Sequence, residues 1–88
     1  MFDIVRVING GVRMLGKLKN VEYHRSSLAE IYIADLDLGD MTLNITYNCT
    51  SGELFMHEWY LLSDIEYVEI RDSLLEYFEH LYASKHAS

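Results

Sequence analysis

Ser63-Asp64-Ile65-Glu66-Tyr67-Val68-Glu69-Ile70-Arg71-Asp72-Ser73-Leu74-Leu75-Glu76-Tyr77-Phe78-Glu79-His80-Leu81 is the stretch in which the hydrophobic period of this 88-residue chain changes. Tyr67, Ile70, Leu74, Tyr77, Phe78 and Leu81 recur at steps of three and four, the spacing that aligns one face of an α-helix. Ser63 and Glu66 have the form of a capping box, in which a hydroxyl and a carboxylate satisfy amide donors that the first turn leaves unpaired. A helix over 63–83 is expected, with 84–88 fraying. The competing arrangement makes 65–70 a last strand and starts the helix near Ser73, where Ser73-Leu74-Leu75-Glu76 repeats the capping pattern. Tyr67 and Ile70 belong to the helical face, which favours the longer helix.

Upstream of Ser63 the pattern is alternation. Phe2–Ile8 is followed by Asn9-Gly10-Gly11, residues that tolerate the positive φ of a tight hairpin. A second strand over 12–23 carries Val12, Met14 and Leu18 on one face, but Val21 and Tyr23 on the opposite parity. That slip requires a bulge or bend near Gly16 or Asn20. After the polar break His24-Arg25-Ser26-Ser27, a third strand over 28–35 sets Ile31 and Ile33 against Glu30, Tyr32 and Ala34. Residues 36–40 read as a turn. The fourth strand places Leu43, Ile45, Tyr47 and Cys49 opposite Asn44, Thr46, Asn48 and Thr50, a half-buried pattern. Ser51-Gly52 closes a further hairpin, and 53–61 is the fifth strand candidate. The expected fold is α+β: a five-stranded antiparallel meander over 1–62, or a small SH3-like barrel, covered by the C-terminal helix. One domain is expected at this length.

Half of the residues are hydrophobic, too many for a disordered acidic chain. Cys49 is the single cysteine and proline is absent, so stability must come from burial and turns must rely on Gly, Asn, Asp and Ser. Asp3 and Arg6 interrupt the apolar residues at the start, which do not read as a signal peptide, and no run is long enough to span a bilayer. A cytoplasmic location is the expectation. On that footing Asn44-Ile45-Thr46 and Asn48-Cys49-Thr50 are chance glycosylation triplets in a strand.

The charge is divided unevenly. Residues 1–25 hold Arg6, Arg13, Lys17, Lys19 and Arg25 against Asp3 and Glu22, a local net of +3. Residues 26–88 hold twelve acids against Arg71 and Lys85, a local net of −10, and the whole chain carries −7. On the helix, Glu69, Asp72, Glu76 and Glu79 follow one another at steps of +3, +4 and +3 on the polar side, a stripe of about 15 Å at 1.5 Å per residue. Like-charge neighbours at this spacing cost roughly 0.2–0.5 kcal/mol each, on the order of 1 kcal/mol for three contacts at low salt. The plain explanation is a solvated face that keeps a small protein soluble. The functional one is a surface for a basic partner, with Tyr60 and Tyr82, and also Tyr32, as the better-placed interface tyrosines. Tyr47, Tyr67 and Tyr77 fall on apolar faces and belong to the core.

In size and charge, and in nothing more, the chain resembles small acidic anti-restriction and anti-CRISPR proteins. That resemblance implies an inhibitor that mimics nucleic-acid charge and occupies the basic groove of a nucleic-acid-processing protein. A non-enzymatic protein-binding module is therefore the expectation. The first alternative is a small nucleic-acid-binding barrel that uses Arg6, Arg13, Lys17 and Lys19. Direct nucleic-acid binding is disfavoured, because twelve acids stand behind those bases. The second alternative is a subunit that self-associates, basic hairpin against acidic helix.

No catalytic residue, metal site or cofactor is expected. His57-Glu58-Trp59-Tyr60-Leu61 begins like the zinc motif HExxH but has Leu61 where the second histidine must stand. Asp35-Leu36-Asp37-Leu38-Gly39-Asp40 resembles a calcium loop superficially, but its twelfth position falls on Thr46 in place of a glutamate. His80 follows Glu76 by four residues and can make a local charge contact. Cys49 reads as a small buried hydrophobe. Asn9-Gly10-Gly11 precedes a strand and not a helix, so it is no phosphate loop.

Overall fold

The computed structural model describes residues 2–8 and 11–86, with side chains from Leu15 to Lys85. Asn9 and Gly10 of the expected first hairpin turn, and Ala87 and Ser88 at the end, lie outside the described residues. The strands are β1 (Phe2–Ile8), β2 (Gly11–Arg25), β3 (Glu30–Asp37), β4 (Thr42–Asn48) and β5 (Glu53–Met56). A 3-10 turn at Trp59–Leu61 leads into the helix α1 (Asp64–His86). Every strand pairs antiparallel with its neighbour in sequence, in the order β1-β2-β3-β4-β5. The molecule is α+β, and its sheet is open, with β1 and β5 at the two edges. The SH3-like barrel is not formed. Closure would need β5 to run on towards β1, and β5 ends after four residues.

β2 carries two irregularities, at both places where the phase slip calls for one. Ile4 pairs with Gly16 and Val5 with Met14, so Leu15 is an extra residue. Further on, Lys19 pairs with Asp35 and Glu22 with Ile33, so Asn20 and Val21 together oppose Ala34. Asn20 supplies the left-handed backbone of this bulge at φ 54°, which asparagine adopts more readily than most residues. Gly16 answers a different need: a Cβ there would lie 2.8 Å from the carbonyl oxygen of Asp37. The second bulge brings Tyr23 onto the core side with Leu18, while Val21 stays exposed.

The third strand is displaced from its expected position, and its faces are inverted. Ser26 accepts from the amides of Leu28 and Ala29 and so makes both part of the turn. At the other end, Leu36 and Asp37 continue the strand, and the turn is closed by Leu38 N–H donating to the Met41 carbonyl. The buried face is Tyr32, Ala34 and Leu36, whereas Ile33 is exposed. Cross-strand matching explains the inversion. Tyr32, Ala34 and Leu36 pair with Tyr47, Ile45 and Leu43, the apolar face of β4, and contacts of this kind set register.

α1 lies on that face through Ile70, Leu74 and Phe78. The Phe78 ring stacks on Tyr47 at 5.2 Å and on Tyr32 at 5.7 Å, and meets Tyr77 edge-on at 5.2 Å. Ser63 N–H donates to the Glu66 carboxylate at 3.1 Å and Glu66 N–H donates to the Ser63 hydroxyl at 3.2 Å, so the first capping box is built. The helix covers 65–70, the span of the competing strand, and runs through 84–86 where fraying is expected. The last turn has a contact to hold it: the Lys85 ammonium sits 4.1 Å from the centre of the Tyr23 ring, a cation–π placement. Among the described residues, no helix is long and apolar enough to cross a membrane.

Candidate functional site

The phase of α1 is set by Ile70, Leu74 and Phe78. At about 100° per residue, Asp72 and Glu76 then stand nearly opposite Leu74. Asp72, Glu76 and Glu79 are exposed as the stripe requires. Glu69 is half-buried and turns towards a groove beside Ile70. The carboxylate of Asp72 accepts from the neighbouring Arg71 guanidinium, at 3.1 Å from Nη2 and 3.3 Å from Nε. A pair this exposed contributes little to stability, but it tempers the charge at the middle of the stripe.

Followed towards the N-terminus, the same row is apolar. Its path at steps of three and four is Ile65, Val68, Asp72, Glu76 and Glu79, with Ile65 72% and Val68 40% exposed. Immediately before it, Trp59, Tyr60 and Leu61 are also exposed. The Trp59 and Tyr60 rings meet edge to face, with centroids 6.2 Å apart. The outward row of the helix is therefore apolar at its N-terminal end and acidic beyond it, and the turn that leads into the helix exposes further aromatic and aliphatic groups.

The presentation has a local cause. Beyond the Ile45–Met56 pair, Asn44 would bond the next residues of β5. His57 N–H does donate to the Asn44 carbonyl at 3.0 Å, as the ladder requires, but the Glu58 carboxylate takes the place of the His57 carbonyl, accepting from the Asn44 amide at 2.8 Å and from its side-chain Nδ2 at 3.1 Å. Glu58 thus stands in for a strand carbonyl, ends the ladder and sends the chain into the 3-10 turn. The fifth strand stops at Met56 for this reason, and 57–61 is not strand. His57 lies 3.1 Å from the Thr46 hydroxyl, so both polar groups of the HExx fragment act at the sheet edge. Among the described residues, no three His, Cys, Asp or Glu side chains converge as a metal site would need.

The other expected site residues do not join this surface. Tyr60 precedes α1 and Tyr82 lies near its end, about 27 Å along the axis at 1.5 Å per residue. Tyr82 is half-buried against the core. Its phenol is pushed up by desolvation and by the charge and hydrogen bond of Glu30. Tyr23 also donates to Glu30, and that bond, with burial, pushes its phenol up to about 12. Glu30 thus draws in two tyrosine hydroxyls, one from the sheet and one from the helix, a clasp between the two elements. Tyr32 is buried at 4% exposure, with its phenol raised by desolvation, and is withdrawn as an interface residue. Burial likewise raises the thiol of Cys49, which disfavours the reactive thiolate.

In the basic hairpin, the Lys19 ammonium is 2.8 Å from Asp37. The hydrogen bond from Lys19, then that from the Gly39 amide, holds the Asp37 carboxyl below its usual range. Lys17 is exposed. Arg6 and Arg13 are register partners across β1 and β2, and their side chains lie outside the described residues. Lys19 is thus engaged with the acidic half of its own chain.

Trp59, Leu61, Ile65 and Val68 escape the charge-based reading of the sequence. Their signal is present, because the three-and-four path through Asp72, Glu76 and Glu79 extends backwards to Val68 and Ile65. Comparison with protein-family models, curated proteins and solved structures returns no match to this chain.

Proposed function

We propose that the chain is a non-enzymatic module that binds a basic protein through the outward row of α1 and the 3-10 turn before it. One observation carries the proposal: Ile65, Val68, Asp72, Glu76 and Glu79 form a single row that is apolar at one end and acidic at the other. Exposed Trp59, Tyr60 and Leu61 extend the apolar end. Tryptophan and tyrosine dominate the energetics of protein interfaces, and contiguous exposed apolar patches mark such interfaces. A face selected for solubility alone has no use for them.

The acidic end suits the phosphate-binding groove of a nucleic-acid-processing protein. By covering that groove the module acts as an inhibitor that competes with nucleic acid. Three exposed carboxylates make a short mimic, so the apolar end supplies the larger share of affinity and the acids supply orientation and steering.

The test is capture from a native lysate at low salt, with wild type beside two variants. One is Asp72→Asn/Glu76→Gln/Glu79→Gln and the other Trp59→Ala/Ile65→Gln/Val68→Gln. The expected result is a retained protein that both variants lose, that a salt step elutes and that DNA or RNA displaces. Retention unchanged in both variants overturns the proposal.

A further inference from the structure

Along α1 the exposed row Ile65, Val68, Asp72, Glu76 and Glu79 advances by three, four, four and three residues. At a rise of 1.5 Å per residue its side chains stand about 4.5–6 Å apart, and the row is about 21 Å long. At 100° per residue all five lie within a band of about 80°. Among the described residues, the carboxylates of Glu76 and Glu79 have no ion pair or hydrogen bond. We infer that this row seats an α-helix of the protein partner, apolar over Ile65 and Val68 and basic over Asp72, Glu76 and Glu79. The inference rests on the protein-binding reading above and deepens it by naming the element that the partner presents.

Step length selects the element. One face of a helix presents side chains three and four residues apart, so a second helix laid along α1 repeats the same steps of about 4.5–6 Å and keeps in register over all five positions. One face of a β-strand presents them every second residue, about 6.6–6.8 Å apart. Over the four steps of the row a strand covers about 27 Å, and it runs ahead of α1 by a whole contact. A polyproline segment is further out of step, at about 9 Å per turn. Charge then selects the chemistry of the helix. Ile65 and Val68 are 72% and 40% exposed and gain from an apolar cover, whereas the three carboxylates attract cations. The neighbouring Arg71 opposes a basic occupant only weakly, because its guanidinium is held 3.1 Å from Asp72 and 5.7 Å from the centre of the Tyr67 ring. A second copy of the chain is a poor occupant. In either direction its own α1 would set carboxylates against carboxylates, or against Ile65 and Val68. Basic helices are also the elements with which many proteins enter the major groove of DNA, so this occupant agrees with displacement by nucleic acid.

The test is a ¹H–¹⁵N NMR titration of the purified chain at low salt with a designed 21-residue peptide. The peptide carries leucine at positions 4 and 7, arginine at positions 11, 15 and 18, and alanine and glutamine elsewhere, and is made in both chain directions. Each direction has a control with one central proline, which breaks the helix and keeps the charge. The better direction is expected to bind at least fivefold tighter than its proline control and to shift the amides of Ile65, Val68, Asp72, Glu76 and Glu79 most. Val68→Gln/Glu76→Gln, which changes exposed positions only, is expected to weaken binding at least fivefold. A smaller margin over the proline control means an extended occupant or diffuse charge attraction, and largest shifts outside the row mean another surface; either overturns the inference. The two proposals fail separately. A partner retained from the lysate with no margin over the proline control refutes the helix and leaves the module. A clear margin with no retained partner refutes the module and leaves the helix-binding row.

Discussion

Replacing Glu76 by lysine separates what the acidic row does for the fold from what it does for a partner. Glu76 has Asp72 four residues before it and Glu79 three after it, and all three are exposed. Each like-charge contact costs about 0.2–0.5 kcal/mol, and each opposite-charge contact gains a similar amount. Reversing the central charge converts two repulsions into two attractions, a change of about 0.8–2 kcal/mol at low ionic strength. Asp72 already engages Arg71 at 3.1 Å, which draws the expectation to the lower end, about 1 kcal/mol. For a domain of this size that is a rise in Tm of roughly 4–8 °C. The rise should fade with added salt, since exposed charges are screened over about 10 Å at 0.1 M. Thermal unfolding followed by circular dichroism at 10 mM and 500 mM salt measures both. In the capture assay the same variant should lose the partner. A more stable protein that binds less is the signature of acids kept for recognition. A Tm that is unchanged or lower at 10 mM salt would refute the row geometry, and a higher Tm with undiminished binding would return the acids to a solubilising role.

Gly16→Ala is expected to destabilise by about 1–3 kcal/mol, as overpacking against a fixed neighbour does, because the new Cβ would meet the Asp37 carbonyl at 2.8 Å; urea midpoints measure it, and a loss below 0.5 kcal/mol would refute the close approach. Phe78→Ala removes a fully buried ring stacked between Tyr32 and Tyr47, and a loss of about 3–5 kcal/mol should leave the chain partly unfolded at 37 °C. Unfolding curves that overlay the wild type would contradict the packing. The Tyr23 phenol is raised from 10 to about 12 by its bond to Glu30, so the folded state favours the neutral form. Its contribution is fully present below pH 10 and is lost as pH rises through about 12. Tyr23→Phe should therefore flatten the alkaline fall in urea midpoint, and an unchanged slope between pH 10 and 12 would refute the clasp.

The antiparallel sheet and the C-terminal helix are legible in the sequence because their periods differ cleanly, two in Leu43, Ile45 and Tyr47 and three or four in Ile70, Leu74 and Phe78. The inversion of β3 is not, since Ile31-Tyr32-Ile33-Ala34 satisfies either parity by itself and only the facing residues of β4 decide between them. The end of β5 is equally hidden: Glu58 looks like a strand residue until its carboxylate is seen on the Asn44 amide, a contact fourteen residues away in sequence. On the helix, charge makes the acids conspicuous, while Ile65 and Val68 pass for core because apolar residues usually are.

The exposure of Ile65 and Val68 is enforced by the parts that make the helix stable. Ser63 fixes where the helix begins, through its reciprocal bonds with Glu66. Ile70, Leu74 and Phe78 fix its rotation by entering the core. With start and rotation both set, Ile65 falls about 180° from Leu74, and no rearrangement of the first turn can bury it without breaking the cap or withdrawing Ile70. Folding alone gains nothing from an isoleucine at that position, where glutamate, lysine or glutamine would be better helix formers and more soluble. The same holds for Trp59 and Tyr60, whose turn is held by Glu58 whatever side chains it displays. A marginally stable domain thus keeps aromatic and aliphatic groups in water at a place that its described residues leave uncovered. Under the proposed function these groups have a use in contact with a partner, and the carboxylates that continue the row favour a basic one.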